Sequence, residues 1–393
     1  MLTLSGRVLK KLIPASNGIG YRLFSLSTNA NLPEVLRSQK AFLAKKTCEF
    51  PPGFRHYFTF SSVNSSSGDE GEVTVLGEEF SYFADGDVVS LSDDGRIRSI
   101  YRSDSNHNSI LLTERCNHYC LMCSQPPKRT DDSWLMNEAL EAIKLIPREA
   151  RELGFTGGEP TLYGAQFINL LKHTKSWLPR TGIHVLSNGR AFADEDFARA
   201  YAQVDHPDLM IGIPIYSANP AIHDYVVQAQ GAFDETVRGV LNLKRFHQKV
   251  EIRVVIHKQN CDGLPELATY IARNLLFVDQ VALMGLEHIG FARANIDSLW
   301  IDPIEYKDTL SQAVKILTDY GIQVAVYNHP LCLVNPDVHH AYVKSISDWK
   351  NEFAIECEPC TRKHECGGFF SSGIQNGYSQ SIAPFLSTKE EAS

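Results

Sequence analysis

Three cysteines in the run Thr113-Glu114-Arg115-Cys116-Asn117-His118-Tyr119-Cys120-Leu121-Met122-Cys123 constrain this chain more than any other feature. The spacing Cys-x3-Cys-x2-Cys brings three thiolates into one short loop, which must fold around whatever they bind. Three ligands leave a metal centre open. A [4Fe-4S] cluster takes one cysteine per iron, so a three-cysteine loop frees one iron to bind something that reacts. A structural zinc site is the other reading of a Cys-x2-Cys pair, although zinc ordinarily takes a second pair.

The segment that follows narrows the choice. After the polar stretch Ser124-Gln125-Pro126-Pro127 and the helix-start signal Asp131-Asp132-Ser133, apolar Leu135, Ala139, Ile143 and Ile146 recur at helical spacing. A short strand then delivers Gly157-Gly158-Glu159-Pro160. The cysteine loop and this turn together resemble the radical S-adenosylmethionine (SAM) superfamily. In that family the amino and carboxylate groups of SAM chelate the open iron of a [4Fe-4S] cluster, and reduction splits SAM into methionine and a 5′-deoxyadenosyl radical. The resemblance makes Cys116, Cys120 and Cys123 the cluster ligands. It sets Gly157, Gly158 and Glu159 against the SAM amino group, the glycines because only bare backbone comes so close to a ligand.

The same period continues downstream. Strand-like runs at Ile183–Leu186, Leu209–Ile215, Val250–Ile256 and Val278–Leu283 alternate with helical patterns. Such patterns are Phe167, Leu170, Leu171, Thr174 and Leu178; Phe233, Val237, Val240 and Leu241; and Leu310, Ala313, Val314 and Leu317. Alternating strands and helices imply parallel pairing with right-handed crossovers, so six units starting at Ile110 predict an α/β fold, a partial (β/α)6 TIM-type barrel. Its active site belongs at the strand C-terminal ends. There the family resemblance places Ser187 and Asn188 at the methionine carboxylate, Ser217 (in Tyr216-Ser217) at the ribose, and Met284 to Leu286 at the adenine. Met122 stands where the family often has an aromatic residue packed on adenine, and a thioether also packs on rings. Arg253 alternates with Ile252 and Val254 and so faces away from them; the lumen, with a carboxylate partner, is its expected place.

A second cysteine group lies beyond the barrel: Cys357-x2-Cys360-x5-Cys366, with Cys332 upstream. This resembles the auxiliary-cluster extensions called SPASM and twitch, and implies a second [4Fe-4S] cluster on Cys332, Cys357, Cys360 and Cys366. A four-cysteine zinc ribbon is the alternative, since an all-thiolate site does not by itself separate zinc from iron and sulfur. Cys48 and Cys261 read as small buried hydrophobes, and His118, His339 and His340 as ordinary loop residues.

The wording of Arg-Cys-Asn at 115–117, Met-Cys-Ser-Gln-Pro-Pro at 122–127, Ser-Asp-Trp at 347–349 and Cys-Gly-Gly-Phe-Phe-Ser-Ser at 366–372 is similar to radical SAM maturases of the His-Xaa-Ser repeat systems, over residues 110–375. That resemblance implies a peptide substrate with His-Xaa-Ser repeats, a partner radical SAM protein, and a reductant such as flavodoxin or ferredoxin. A small molecule or nucleotide, handled in cofactor biosynthesis, is the other substrate class. No catalytic acid or base is singled out.

Three domains follow: a small β-rich domain over 1–105, the barrel over 106–327 and the cysteine-rich extension over 328–393. In the first, Asp85-Gly86-Asp87 and Asp94-Gly95-Arg96 are hairpin-type turns between the runs Val73–Leu76, Val88–Leu91 and Ile97–Tyr101. Gly18 and Gly20 read as a turn between two paired strands, and Ser61–Gly71 as a mobile loop. In peptide-modifying relatives such a module captures a leader peptide on a sheet edge. A net charge of −8 offers no general field for nucleic acid, and no apolar run approaches a membrane span. Of nine cysteines, seven fall in the two metal-like groups, which argues for a reducing cytoplasm over a disulfide scaffold.

Overall fold

Two kinds of strand divide the chain: short, irregularly spaced ones before Tyr101, and longer apolar ones alternating with helices after Ser109. The structure, a computed structural model, describes residues 4–11, 20–45, 50–60, 72–344 and 351–386. Gly18, Cys48, Ser61–Gly71 and the Ser-Asp-Trp at 347–349 lie outside these residues. Two compact units result: residues 1–111, 133–154 and 172–182 form one, and 112–132, 155–171 and 183–393 the other.

The first unit holds an eight-stranded sheet of β1 (Ser5–Arg7), β2 (Lys10–Lys11), β3 (Tyr21–Ser27), β4 (Ala41–Ala44), β5 (His56–Thr59), β6 (Val73–Val75), β7 (Val88–Ser92) and β8 (Arg96–Tyr101), in the order β1-β8-β7-β3-β4-β5-β6-β2. Phe24, Leu26, Leu43, Phe58, Phe80, Phe83 and Leu91 make its core. β7 and β8 pair antiparallel across Asp94-Gly95, with Gly95 at φ +80°. One expectation fails. Asp85-Gly86-Asp87 joins no hairpin, because β6 and β7 are not neighbours. Instead the buried Asp87 carboxylate accepts from the Ala84 and Ser103 amides and the Ser103 hydroxyl. The strand pair expected around Gly18 and Gly20 falls on residues 12–19, outside the described residues; of the flanking strands, β2 lies on β6 and β3 between β7 and β4. Among the described residues, the edge strands β1 and β2 have three and two residues.

The second sheet runs in strict chain order: β9 (Ser109–Thr113), β10 (Glu152–Gly157), β11 (Gly182–Leu186), β12 (Leu209–Pro214), β13 (Lys249–Ile256), β14 (Gln280–Gly285) and β15 (Val324–Tyr327). The pairs from β11 to β15 are all parallel. The expectation of six strands falls one short; the seventh is the four-residue β15. The run expected over Val278–Leu283 forms β14 two residues later. One face carries Ile211, Ile213, Val250, Ile252, Val254, Val281 and Leu283, all buried. The opposite face carries Met210, Pro214, Arg253 and Val255, which keep partial exposure. This asymmetry leaves the polar face for chemistry.

Close approach, not only pattern, places one strand end. Helix Ala232–Arg245 comes so near the turn after β11 that a Cβ on Gly239 would lie 2.2 Å from the Gly189 carbonyl oxygen. Gly189 itself sits at φ +83°, a conformation open to glycine at little cost. Gly239→Ala is therefore expected to lower stability by about 1–3 kcal/mol through overpacking, read as a fall in the denaturant midpoint; an unchanged midpoint would contradict this packing.

Candidate cluster loop and auxiliary cysteine pocket

The cysteine loop leaves β9 and is tied down from several sides. Asp132, buried, accepts hydrogen bonds from the Thr113 hydroxyl at 3.0 Å, the Glu114 amide and the Tyr163 hydroxyl at 2.9 Å. Thr113 Oγ1 in turn accepts from the Arg115 amide at 3.0 Å. Further along, the Tyr119 and Leu121 amides donate to the carbonyls of Val227 and Val226, at the end of helix Pro220–Val227. The Phe291 amide donates to the Cys123 carbonyl at 2.8 Å, and the Asn295 side chain to that of Leu121. A loop so bonded keeps its three thiols in place.

The Gly-Gly-Glu turn is part of the same scaffold. The Gly158 amide donates to the Thr113 carbonyl and the Glu159 amide to that of Arg115, each at 2.8 Å. A Cβ at Gly157 would lie 2.4 Å from the Thr113 oxygen, and one at Gly158 2.2 Å from the Arg115 oxygen. What the missing side chains make room for in this structure is thus the cluster loop's own backbone. The Glu159 carboxylate is buried and accepts four hydrogen bonds: from the Thr161 amide and hydroxyl, from the Ser187 hydroxyl at 2.8 Å and from the Asn188 amide at 2.6 Å. Burial pushes its pKa up, and the four donors pull against that shift.

The other expected SAM contacts have protein partners as well. Ser187 donates to Glu159 and accepts from the Gly189 amide. Asn188 donates from its side chain to Asn117 Oδ1 at 2.6 Å, which joins the end of β11 to the cysteine loop. Ser217 accepts from the Asn219 amide at the start of helix Pro220–Val227. Met122 is buried in a cluster with Tyr216, Val226, Val227, Ala292 and Leu299. Arg253 pairs with the buried Glu251 and donates to Met284 Sδ at 3.2 Å. Gly212 makes room for it, since a Cβ there would lie 2.7 Å from Arg253 Cδ and 3.1 Å from His184 Nε2.

Sequence reasoning missed Glu251 and His184 on the inner face, and Asp132 and Tyr163 beneath the loop. His118, read as an ordinary loop residue, lies in the loop and is buried there, its pKa pushed down to about 3 by burial, with Arg190 and His223 nearby. Alternating polarity along β13 is the signal that would have found Glu251.

Burial raises the thiol pKa values throughout the loop, that of Cys116 to about 11, and for Cys120 the neighbouring Cys123 and Cys116 add to the rise. Any metal bound by these thiols as thiolates would displace their protons. The second group converges too. Cys332, Cys357, Cys360 and Cys366 line one pocket with Pro330, Leu331, Phe353 and Phe369. Cys366 Sγ accepts from the Leu331 and Gly368 amides, each at 3.3 Å. Backbone N–H groups aimed at sulfur suit a thiolate bound to metal. Among the described residues no three His, Cys, Asp or Glu side chains close on a single ion position; a cluster, with one cysteine per iron, does not ask its ligands to meet at one point. Cys261 is a buried free thiol. Among the described residues no helix is long and apolar enough to cross a membrane.

Residues 110–271 match the family model of the Radical SAM superfamily. A probable GTP 3′,8-cyclase of Sulfolobus acidocaldarius is 23% identical over 203 residues, 50% of this chain and 61% of that protein. Streptococcus suis SuiB overlays with TM-score 0.44 and 13% identity, over 57% of this chain and 49% of its own. The structure of anSMEcpe with bound AdoMet overlays with TM-score 0.44 and 18% identity, over 56% and 63%. The chain thus spans less than two thirds of the length of each.

Removing the brace under the loop has a defined cost. Asp132→Ala strands the buried Thr113 hydroxyl and Glu114 amide and frees Tyr163, so about 3 kcal/mol of stability is expected to go, against about 1 kcal/mol for Tyr163→Phe. Denaturant unfolding of the metal-free protein measures both; equal effects would show that Asp132 is not the hub.

Proposed function

We propose that this chain, whose residues 110–271 form a radical SAM superfamily domain, reductively cleaves SAM and uses the resulting radical to abstract hydrogen from a peptide. The carrying observation is the cysteine loop: three thiols on one segment whose backbone is bonded to the Gly157-Gly158-Glu159 turn. Three thiol donors fit a [4Fe-4S] cluster with one open iron, held by Cys116, Cys120 and Cys123. When bound, that cluster supplies the electron that breaks a carbon–sulfur bond of SAM. The protein's task is to place and shield: Glu159 fixes the ends of β10 and β11, Asn188 couples the latter to Asn117, and Arg253 with Glu251 sets charge on the inner face of the sheet. Ser187, Asn188 and Ser217 act in this reading mainly as positioning residues, their hydroxyl and amide groups already engaged.

The peptide assignment rests on the motif wording over 110–375, similar to the His-Xaa-Ser maturase HxsC, and on the C-terminal cysteine pocket. In this reading Cys332, Cys357, Cys360 and Cys366 hold a second [4Fe-4S] cluster, closed to SAM because all its irons have cysteine ligands. A flavodoxin or ferredoxin supplies electrons, and a second radical SAM protein shares the substrate. The cyclase similarity favours one other reading, a nucleotide substrate.

Anaerobically reconstituted protein with a strong reductant is expected to release 5′-deoxyadenosine from SAM. Cys116→Ala, Cys120→Ala or Cys123→Ala should each reduce release to background, while Cys357→Ala with Cys360→Ala should leave it in place. Undiminished cleavage by Cys120→Ala with iron still bound would refute the ligand assignment.

A further inference from the structure

A second cavity opens beside the ends of β14 and β15, and of the residues assigned so far to cluster or cofactor only Leu286, expected at the adenine, lines it. Leu286, Trp300, Phe369 and Tyr378 form much of its wall, and the polar residues His288 and Ser372 also line it. His288 is only 6% exposed, and its Nδ1 is buried without a hydrogen-bond partner. The ring stands edge-on to Trp300, 6.1 Å between centroids at 81°. Its other nitrogen hydrogen-bonds the Gly377 backbone, and burial holds the imidazole neutral by lowering its pKa. A neutral imidazole that donates from one nitrogen can only accept at the other. Ser372 Oγ is likewise buried without a partner, and a hydroxyl both donates and accepts.

Buried polar atoms are nearly always paired, so two unpaired ones on residues that line one aromatic-walled cavity describe what complements it. An aliphatic group would leave both atoms unpaired. A carboxylate has no proton to give Nδ1. A flat ring bearing an N–H or O–H satisfies the acceptor and stacks on the walls.

We propose that this pocket binds an aromatic side chain of the peptide substrate that carries a ring N–H or O–H, and so fixes where along the peptide hydrogen is abstracted. This inference rests on the peptide reading above. Nδ1 accepts a hydrogen bond from the ring N–H or O–H, and Ser372 completes the hydrogen bonding.

Calorimetry on the full, reconstituted chain tests it with two probes that differ by one hydroxyl, N-acetyltyrosinamide and N-acetylphenylalaninamide. Tyrosinamide should bind about tenfold more tightly, the worth of one buried hydrogen bond. His288→Phe should erase that preference, and Ser372→Ala, a smaller change in case His288→Phe misfolds, should reduce it severalfold. Release of 5′-deoxyadenosine, followed on the same samples, should be unaffected by Ser372→Ala. Equal affinity for the two probes, no binding of either, or competitive displacement of tyrosinamide by SAM would overturn the pocket assignment. Loss of SAM cleavage in the unmodified protein would instead overturn the function on which it rests.

Discussion

One buried carboxylate, that of Glu159, holds the site together. It accepts hydrogen bonds from four donors, two of which, the Ser187 hydroxyl and the Asn188 amide, belong to the next strand end. Two backbone hydrogen bonds join the same turn to the cysteine loop. Three successive strand ends are therefore tied to a group that water does not reach. Burial alone would drive such a group to its neutral form. Hydrogen bonds to charged groups are worth about 1.5–3 kcal/mol each, so four donors are enough to oppose that penalty. The cost of the arrangement is rigidity: none of the four can move without stranding a buried polar group.

Rigidity is what the proposed ligand role of the three loop thiols needs. Burial raises their pKa values, which keeps them protonated until a metal compensates the charge. The polar inner face of the parallel sheet, with Arg253, Glu251 and His184, lies on the side opposite the apolar layer of Ile211, Ile252 and Val281. Fold and site thus come from one alternation along each strand: apolar side chains build the core, and the polar remainder is available for chemistry.

What could be read from the residues divides along the same physical line. The cysteine groups and the Gly-Gly-Glu turn stand out in the sequence by their spacing; the close approach expected at the glycines is found, but to the backbone of the cysteine loop. β12 and β13 were legible from their β-branched runs. β15 was not, because four residues carry too little pattern to be told from a loop. The bracing role of Glu159 was hidden because its partners lie 28 and 29 positions away, and no local rule connects them. Asp85-Gly86-Asp87 misled for the opposite reason: it has hairpin chemistry, but long-range pairing sends β6 and β7 to different neighbours. The burial of His118 was not legible, because it comes from packing of the loop against helix Pro220–Val227, about a hundred positions on.

The account stands on an iron left open by a three-cysteine loop. Electron paramagnetic resonance of the reduced Cys357→Ala, Cys360→Ala protein, which retains only the first cysteine group, observes that iron directly. Addition of SAM is predicted to shift the g values of the reduced cluster, because a new ligand binds one of its irons. A reduced cluster present at full occupancy with a spectrum unchanged by saturating SAM would contradict it.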